Sequence, residues 1–169
     1  NGCKAIPSFS LGDSLETVGD YAFASTSVTS MYFPDTVKQI GINPMWMNYA
    51  ILSVHLPKSL TEIPQGMFAQ AARIQTLTIP QGVHSIGTQA FHGNVALAAL
   101  KLPDGLERIG ANAFGNAMLL LEIPASVTEI ADDAFSEAVV EFYTPSGSAA
   151  YQYALAHQIP VHLDESIPA

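Results

Sequence analysis

Five histidines, His55, His84, His92, His157 and His162, are the side chains of this sequence best suited to chemistry near neutral pH. Acid–base or triad catalysis needs a histidine held within hydrogen-bond reach of a carboxylate or hydroxyl. These five fall at five different phases of an internal repeat of 21 to 23 residues, and nothing in the spacing pairs them. His55 has Tyr32 and Thr78 as its repeat neighbours, with no carboxylate adjacent in the same column, so no acid–base pair or triad is assembled. Asp132 and Asp133, with Glu129 and Glu137 close by, suggest calcium, but their spacing does not supply the roughly six to eight converging oxygens of a dedicated site. They read as a solvated acidic edge. Cys3 is the single cysteine, which excludes an intrachain disulfide and a cysteine-based zinc site. The glycines recur at repeat phase and never as a phosphate-binding G-x-G-x-x-G after a strand. The chemistry expected is recognition rather than turnover, with no catalytic residue, metal or cofactor.

Composition agrees. Fifteen acidic and six basic side chains in 169 residues give a formal charge of -9. That disfavours nucleic acid and anionic lipid as partners, since both require clustered Lys and Arg. Hydrophobic residues make up 49% of the chain, enough for a globular core, while only 12% are charged against roughly 25% in typical soluble domains. No apolar run approaches the roughly 18 residues that would cross a bilayer.

The repeat organises everything else. Prolines stand at 34, 57, 80 and 103, then at 124 and 145, with Gly12 in the proline place of the first copy. Three residues after each lie Leu15, Val37, Leu60, Val83, Leu106 and Val127; eleven after lie Phe23, Met45, Phe68, Phe91, Phe114 and Phe135. Ahead of the proline runs an L-x-x-L-x-L pattern, as in Ile74/Leu77/Ile79, Leu97/Leu100/Leu102 and Met118/Leu121/Ile123, with Val139/Phe142/Thr144 a weakened seventh copy.

Alternation with period two at the end of that pattern puts apolar side chains on one face of a short strand. Proline, lacking an N–H, then ends it. Gly19, Gly41, Gly87 and Gly110 suggest a sharp turn that a Cβ would hinder, with Pro64 and Ala131 in their place in two copies. A brief turn, at most one 3₁₀ turn long, brings the phenylalanine inward. One copy cannot bury this much apolar surface, but stacked copies can. The sequence predicts a right-handed solenoid.

Leu97-Ala98-Ala99-Leu100-Lys101-Leu102-Pro103-Asp104-Gly105-Leu106-Glu107-Arg108-Ile109-Gly110-Ala111-Asn112-Ala113-Phe114 closely resembles the repeat unit of BspA-like leucine-rich repeat proteins, and the resemblance runs through essentially the whole chain. It implies a leucine-rich repeat solenoid with a parallel β-sheet on its concave face and short turns elsewhere. It also implies a secreted or cell-surface, bacterial, non-catalytic protein that adheres to host or matrix partners. Repeats are expected near 12–33, 34–56, 57–79, 80–102, 103–123 and 124–144, a C-terminal cap over 145–163, and a tail or linker over 164–169. Pro44-Met45-Trp46 departs from the Ala-Phe turn and predicts a distorted copy, with Met45 buried in the phenylalanine place and Trp46 left open. The position often held by Cys in the family is Ala71 or Asn94 here.

The residue two before each proline should form an exposed column on the concave sheet: Ser10, Tyr32, His55, Thr78, Lys101, Glu122, Tyr143. Seven strands about 4.8 Å apart make a face roughly 30 Å long, enough for a partner patch. Tyr32, His55, Thr78, Lys101, Glu122 and Tyr143 are the candidate contacts for a protein or glycan, with Tyr32 and Tyr143 as anchors. The alternative is that Ser, Thr and Tyr merely suit exposed strand positions, and that the array is a spacer or targeting module of a larger protein. A monomer is expected. Cys3 lies nine residues before Gly12, as if the chain began inside a repeat. At the other end, Ser148 is placed to cap a helix running to about His157, ahead of a last strand over 159–163. Acid is unevenly spread: residues 1–101 carry five acids and five bases, whereas residues 102–169 carry ten acids and Arg108 alone. A basic partner would be steered toward that C-terminal end.

Overall fold

The computed structural model describes residues 8–168 and, from Leu11 onward, their side chains. Cys3 and its half-repeat lie outside the described residues. The first half contains β1 (Ser8–Ser10), β2 (Thr17–Val18), β3 (Ser30–Tyr32), β4 (Gln39–Ile40), β5 (Ser53–His55), β6 (Glu62–Ile63) and β7 (Ser85–Ile86). Then follow β8 (Ala99–Lys101), β9 (Arg108–Ile109), β10 (Met118–Glu122), β11 (Glu129–Ile130), β12 (Val139–Thr144), helix α1 (Ala149–His157) and β13 (Val161–Leu163). All pairings are parallel, and each strand lies beside its counterpart in a neighbouring coil, so Tyr32 faces His55 and Ile86 faces Ile109. The chain is a parallel-strand solenoid of about seven turns with one short helix.

Two ladders run along it. The strands before the prolines form β1-β3-β5 and β8-β10-β12-β13, and the two-residue strands after them form β2-β4 and β6-β7-β9-β11. Between the ladders lies the core, where Phe68, Phe91, Phe114 and Phe135 stack with centroids 5.2, 5.0 and 5.2 Å apart. Each such pair is worth about 0.5–1.5 kcal/mol beyond the area it buries. Met45 is fully buried in the phenylalanine place of its own coil, as expected.

The turns that carry these rings are bonded between coils as firmly as the strands. Phe68, Phe91 and Phe114 donate their N–H groups to the carbonyls of Ala90, Ala113 and Ala134 at 2.8, 2.7 and 2.8 Å. Left-handed residues separate the successive single turns, at Asn43 and Met47, Gly66 and Gln70, Gln89 and Gly93, and Asn112 and Asn116. Gly41, Gly87 and Gly110 serve another purpose. None of Gly19, Gly41, Gly87 and Gly110 is left-handed. A Cβ on Gly87 would lie 2.7 Å from the Gln65 nitrogen, and one on Gly110 would lie 3.0 Å from the Gly87 carbonyl carbon. These residues let one coil approach the next, which corrects the sharp-turn reading.

The Pro44 copy is irregular, as its sequence suggests: Asn43 N–H donates to Gln65 and Met47 N–H to Ala69, but Met45 does not make the bond that Phe68, Phe91 and Phe114 make at the same phase. A larger irregularity lies one coil later, where both ladders break beside the 57–79 coil: β4 does not pair with β6, and Thr76–Thr78 join neither β5 nor β8. In the second ladder Pro64 removes one rung, and the Thr61 N–H does not make the bond that Lys38, His84, Glu107 and Thr128 make at its phase. At the phase of Pro64, Gly41, Gly87, Gly110 and Ala131 donate to Val18, Ile63, Ile86 and Ile109 at 2.8–3.0 Å, and proline has no hydrogen to donate to Ile40.

A second correction concerns β10 and β12, five and six residues long. Regular alternation through these longer strands buries Leu119 and Leu121, and Val140 and Phe142. Met118 and Val139, expected inside, are therefore outside, 54% and 65% exposed. After β12, Ser148 caps α1 by accepting the Tyr151 N–H at 3.1 Å, and Ala150 and Ala154 bury against the last coil. β13 then extends the sheet by pairing with β12.

Candidate recognition face

Tyr32 and His55 on one side of the ladder break, and Lys101, Glu122 and Tyr143 on the other, stand in rows because within each sheet the strands are in register and the neighbours on either side point inward. Tyr32 is 50% exposed, and its ring lies flat on the His55 imidazole, centroids 4.5 Å apart and planes 7° apart. Beyond His55 the row meets the ladder break, where Tyr32, His55, Lys58, Thr76, Leu77 and Thr78 line a groove of about 730 Å³. Hydroxyls of Ser30 and Ser53 border it. Lys58 leans on Asp35 at 3.5 Å, and Asp35 also accepts the Lys58 backbone N–H at 3.0 Å. That backbone bond, with Lys58's charge and its side-chain hydrogen bond and then the charge of His55 adding to it, holds the Asp35 carboxyl below the usual carboxylate range against its partial desolvation.

Further along, Lys101 and Glu122 form an ion pair across β8 and β10. Its hydrogen bond, and then the Glu122 charge, raise the Lys101 ammonium above the ordinary lysine value. The row ends differently from expectation at Tyr143, which is only 5% exposed. β13 adds one more strand, and His162 covers Tyr143 with ring centroids 4.4 Å apart and planes 10° apart. The following residues return along the same edge, bringing the Ile167 N–H within 3.5 Å of Glu122. Tyr143 is thus removed from the list of exposed anchors, while Tyr32, His55 and Thr78 are brought together.

His162 is the residue sequence reasoning missed in this row. It lies 19 residues after Tyr143, off the repeat length, and no proline follows it in phase. One signal was present: Val161-His162-Leu163 repeats Val54-His55-Leu56 letter for letter. His162 therefore shares the phase of His55, and it is paired after all, with Glu141 at 2.9 Å. His157 likewise approaches Asp132 at 3.4 Å and stacks on Tyr153 at 4.0 Å, so both pairs fasten the cap to the last coil. Among the described residues no group of three or more His, Cys, Asp and Glu comes together to hold a metal ion.

On the turn side, Trp46 is 40% exposed and meets Tyr21 edge to face at 6.3 Å, and Asn43 donates to the Tyr21 hydroxyl at 3.1 Å. The side chain left open by the sequence is a surface residue. No helix of the described residues is long and apolar enough to cross a membrane.

Coils of this length, with a proline-terminated strand, a second short ladder and an internal phenylalanine column, define a leucine-rich repeat solenoid. The chain matches the BspA type leucine rich repeat region in six copies, over residues 1–120 and 84–148, and belongs to that family. No curated protein matches it by sequence. Among solved structures it is similar to a leucine-rich repeat protein from Bacteroides ovatus, with 17% identity and a TM-score of 0.71 over 84% of this chain and 44% of the other. It is similar to a leucine-rich repeat protein of T. pallidum at 17% identity and a TM-score of 0.59, covering 90% and 81% of the two chains. A leucine-rich cell surface protein from Faecalibacterium prausnitzii is 25% identical with a TM-score of 0.57, over 95% of this chain and 36% of that one. This chain spans under half the length of the Bacteroides and Faecalibacterium proteins.

Proposed function

We propose that this region is a non-catalytic binding scaffold of a secreted or cell-surface bacterial protein, recognising a protein or glycan through the face of its long-strand sheet. In this reading the coil is right-handed and that sheet lines its concave side. The observation carrying it is the Tyr32–His55 stack beside the groove at the ladder break. Two rings at exposed strand positions, next to a groove with apolar walls and a few hydroxyls, match the usual make-up of a ligand site. Membership of a family with a cell-surface relative supports the location.

The test is binding of the purified region to immobilised matrix-protein and glycan arrays, repeated with Tyr32→Ala and His55→Ala combined. Binding that the double variant loses, with its thermal unfolding unchanged, supports the reading. Binding that persists moves the site off this face, and silence of the unmodified region on both arrays favours a spacer or targeting module.

A further inference from the structure

The column of rings stops where the next coil offers a small side chain. Tyr32 covers one face of the His55 imidazole at 4.5 Å, close to the roughly 4.8 Å separation of adjacent strands. Along the same column the next residue is Thr78, exposed and too short to continue the stack, and both residues line the groove. The face of His55 turned away from Tyr32 therefore has no ring against it, and Thr78 shares the groove on that side. In that same coil Thr76–Thr78 lie outside both ladders, so their backbone N–H and C=O groups are not spent on strand pairing.

From this geometry we infer that the groove beside His55 and Thr78 receives a sugar ring of a neutral oligosaccharide. The inference rests on the proposed use of this face for binding and names the ligand class. A pyranose has the thickness of one stacking step and an apolar C–H face to lay on the imidazole. Its rim of hydroxyls needs both donors and acceptors, and Ser53, Thr76 and Thr78 supply both, as does the unladdered backbone. No carboxylate lines the groove, and Lys58 is the one lysine among its lining residues, so most of the lining is uncharged and suits a neutral ligand. At about 730 Å³ the groove lies within the roughly 300–1,000 Å³ range of small-molecule sites. A peptide is the competing occupant, since the unladdered backbone can also pair with an added strand, and the matrix-protein titration separates the two.

The experiment titrates the whole region with cellohexaose, xylohexaose and mannohexaose, followed by calorimetry. At least one saccharide is expected to saturate with a Kd of about 1 mM or tighter. Thr78→Tyr puts a ring of the protein's own into the groove and should weaken that binding by about tenfold or more, while Thr78→Ser keeps the hydroxyl and should leave it within about twofold. If Thr78→Tyr does not fold, His55→Ala at its exposed position carries the same expected loss. Saturable binding that neither Thr78→Tyr nor His55→Ala alters overturns the inference, as does failure of all three saccharides to saturate. A parallel titration with immobilised matrix proteins separates the two claims. Matrix-protein binding that His55→Ala abolishes, without saccharide binding, overturns the sugar site and leaves the face standing. Failure with both probes removes the face as well.

Discussion

The imidazole of His55 lies parallel to the phenol ring of Tyr32, 4.5 Å away, and His162 repeats the arrangement on Tyr143 at 4.4 Å. In each pair the histidine is contributed by the neighbouring strand on the C-terminal side, because register places it directly beside the tyrosine. The two stacks differ in what surrounds them. Tyr143 is covered and His162 is fastened to Glu141, whereas Tyr32 is half exposed and His55 opens on the groove.

That difference predicts separable effects. Tyr32→Ala should leave the thermal midpoint almost unchanged, a shift equivalent to within about 0.5 kcal/mol, as for other exposed positions. Tyr143→Ala should cost about 3 kcal/mol or more, since it empties a buried aromatic site. Chemical unfolding of the two variants checks this; equal losses would show that Tyr143 is not the structural member of the pair.

Phe114 stands in the middle of the phenylalanine column, between Phe91 and Phe135. Phe114→Ala should destabilise by about 3–5 kcal/mol through lost transfer energy and the cavity left behind. Trp46→Ala, an aromatic truncation of larger volume at a half-open surface site, should cost far less. Denaturant midpoints measured side by side decide the ranking.

Glycine at this phase should not tolerate a Cβ. Gly110→Ala places a Cβ 3.0 Å from the backbone of Gly87, Ile86 and Thr88, atoms that cannot move without separating two coils. It should destabilise, whereas Ala111→Gly, one residue further on, should cost only about 0.5–1 kcal/mol through the unfolded chain. Thermal scans of both variants test the pair, and unchanged stability in Gly110→Ala would count against close approach as the reason for glycine at this phase.

Much of this was legible in the chain itself. The prolines, the aliphatic positions and the phenylalanine phase mark the coils, their core and their register, because each position must meet its own copy in the next coil. What escaped were effects between coils and at the ends. Whether a glycine serves φ or proximity is not encoded in its own repeat, since the atoms it avoids, such as those of Gly87 beneath Gly110, belong to another. Met118 and Val139 turned outward because longer strands enforce strict alternation, overriding the spacing that shorter copies tolerate. In the candidate site, the column was readable but its interruption was not. The missing ladder bond at Pro64 matters only through what Ile40 would have received.

Pro64→Ala should therefore restore one rung of the second ladder. Ala131 already occupies this phase and donates to Ile109 at 3.0 Å, so an alanine backbone is compatible with the site. The new N–H would face Ile40, and a net gain of about 0.5–1.5 kcal/mol from the bond is offset by the larger entropy that the unfolded chain recovers, about 0.4–1 kcal/mol. Stability should change little while amide exchange at residue 64 becomes protected. An unprotected amide there would assign the break to some other feature of the 57–79 coil.

Lys101 and Glu122 predict the direction of an alkaline effect. Glu122 raises the Lys101 pKa in the folded state, first through the hydrogen bond and then through charge. A raised folded value means that the pair's contribution is fully present below the ordinary lysine value of 10.5 and is lost as pH rises through the folded one. Because Lys101 is 63% exposed, that contribution is small and should shrink further with salt. Lys101→Met should flatten the alkaline limb of the stability curve without altering its neutral region appreciably. The same substitution leaves the groove lining intact, since Lys101 is not part of it. Saccharide affinity that falls with Lys101→Met would therefore extend the ligand's path from Thr78 across to β8, along the column that the repeat register lays down.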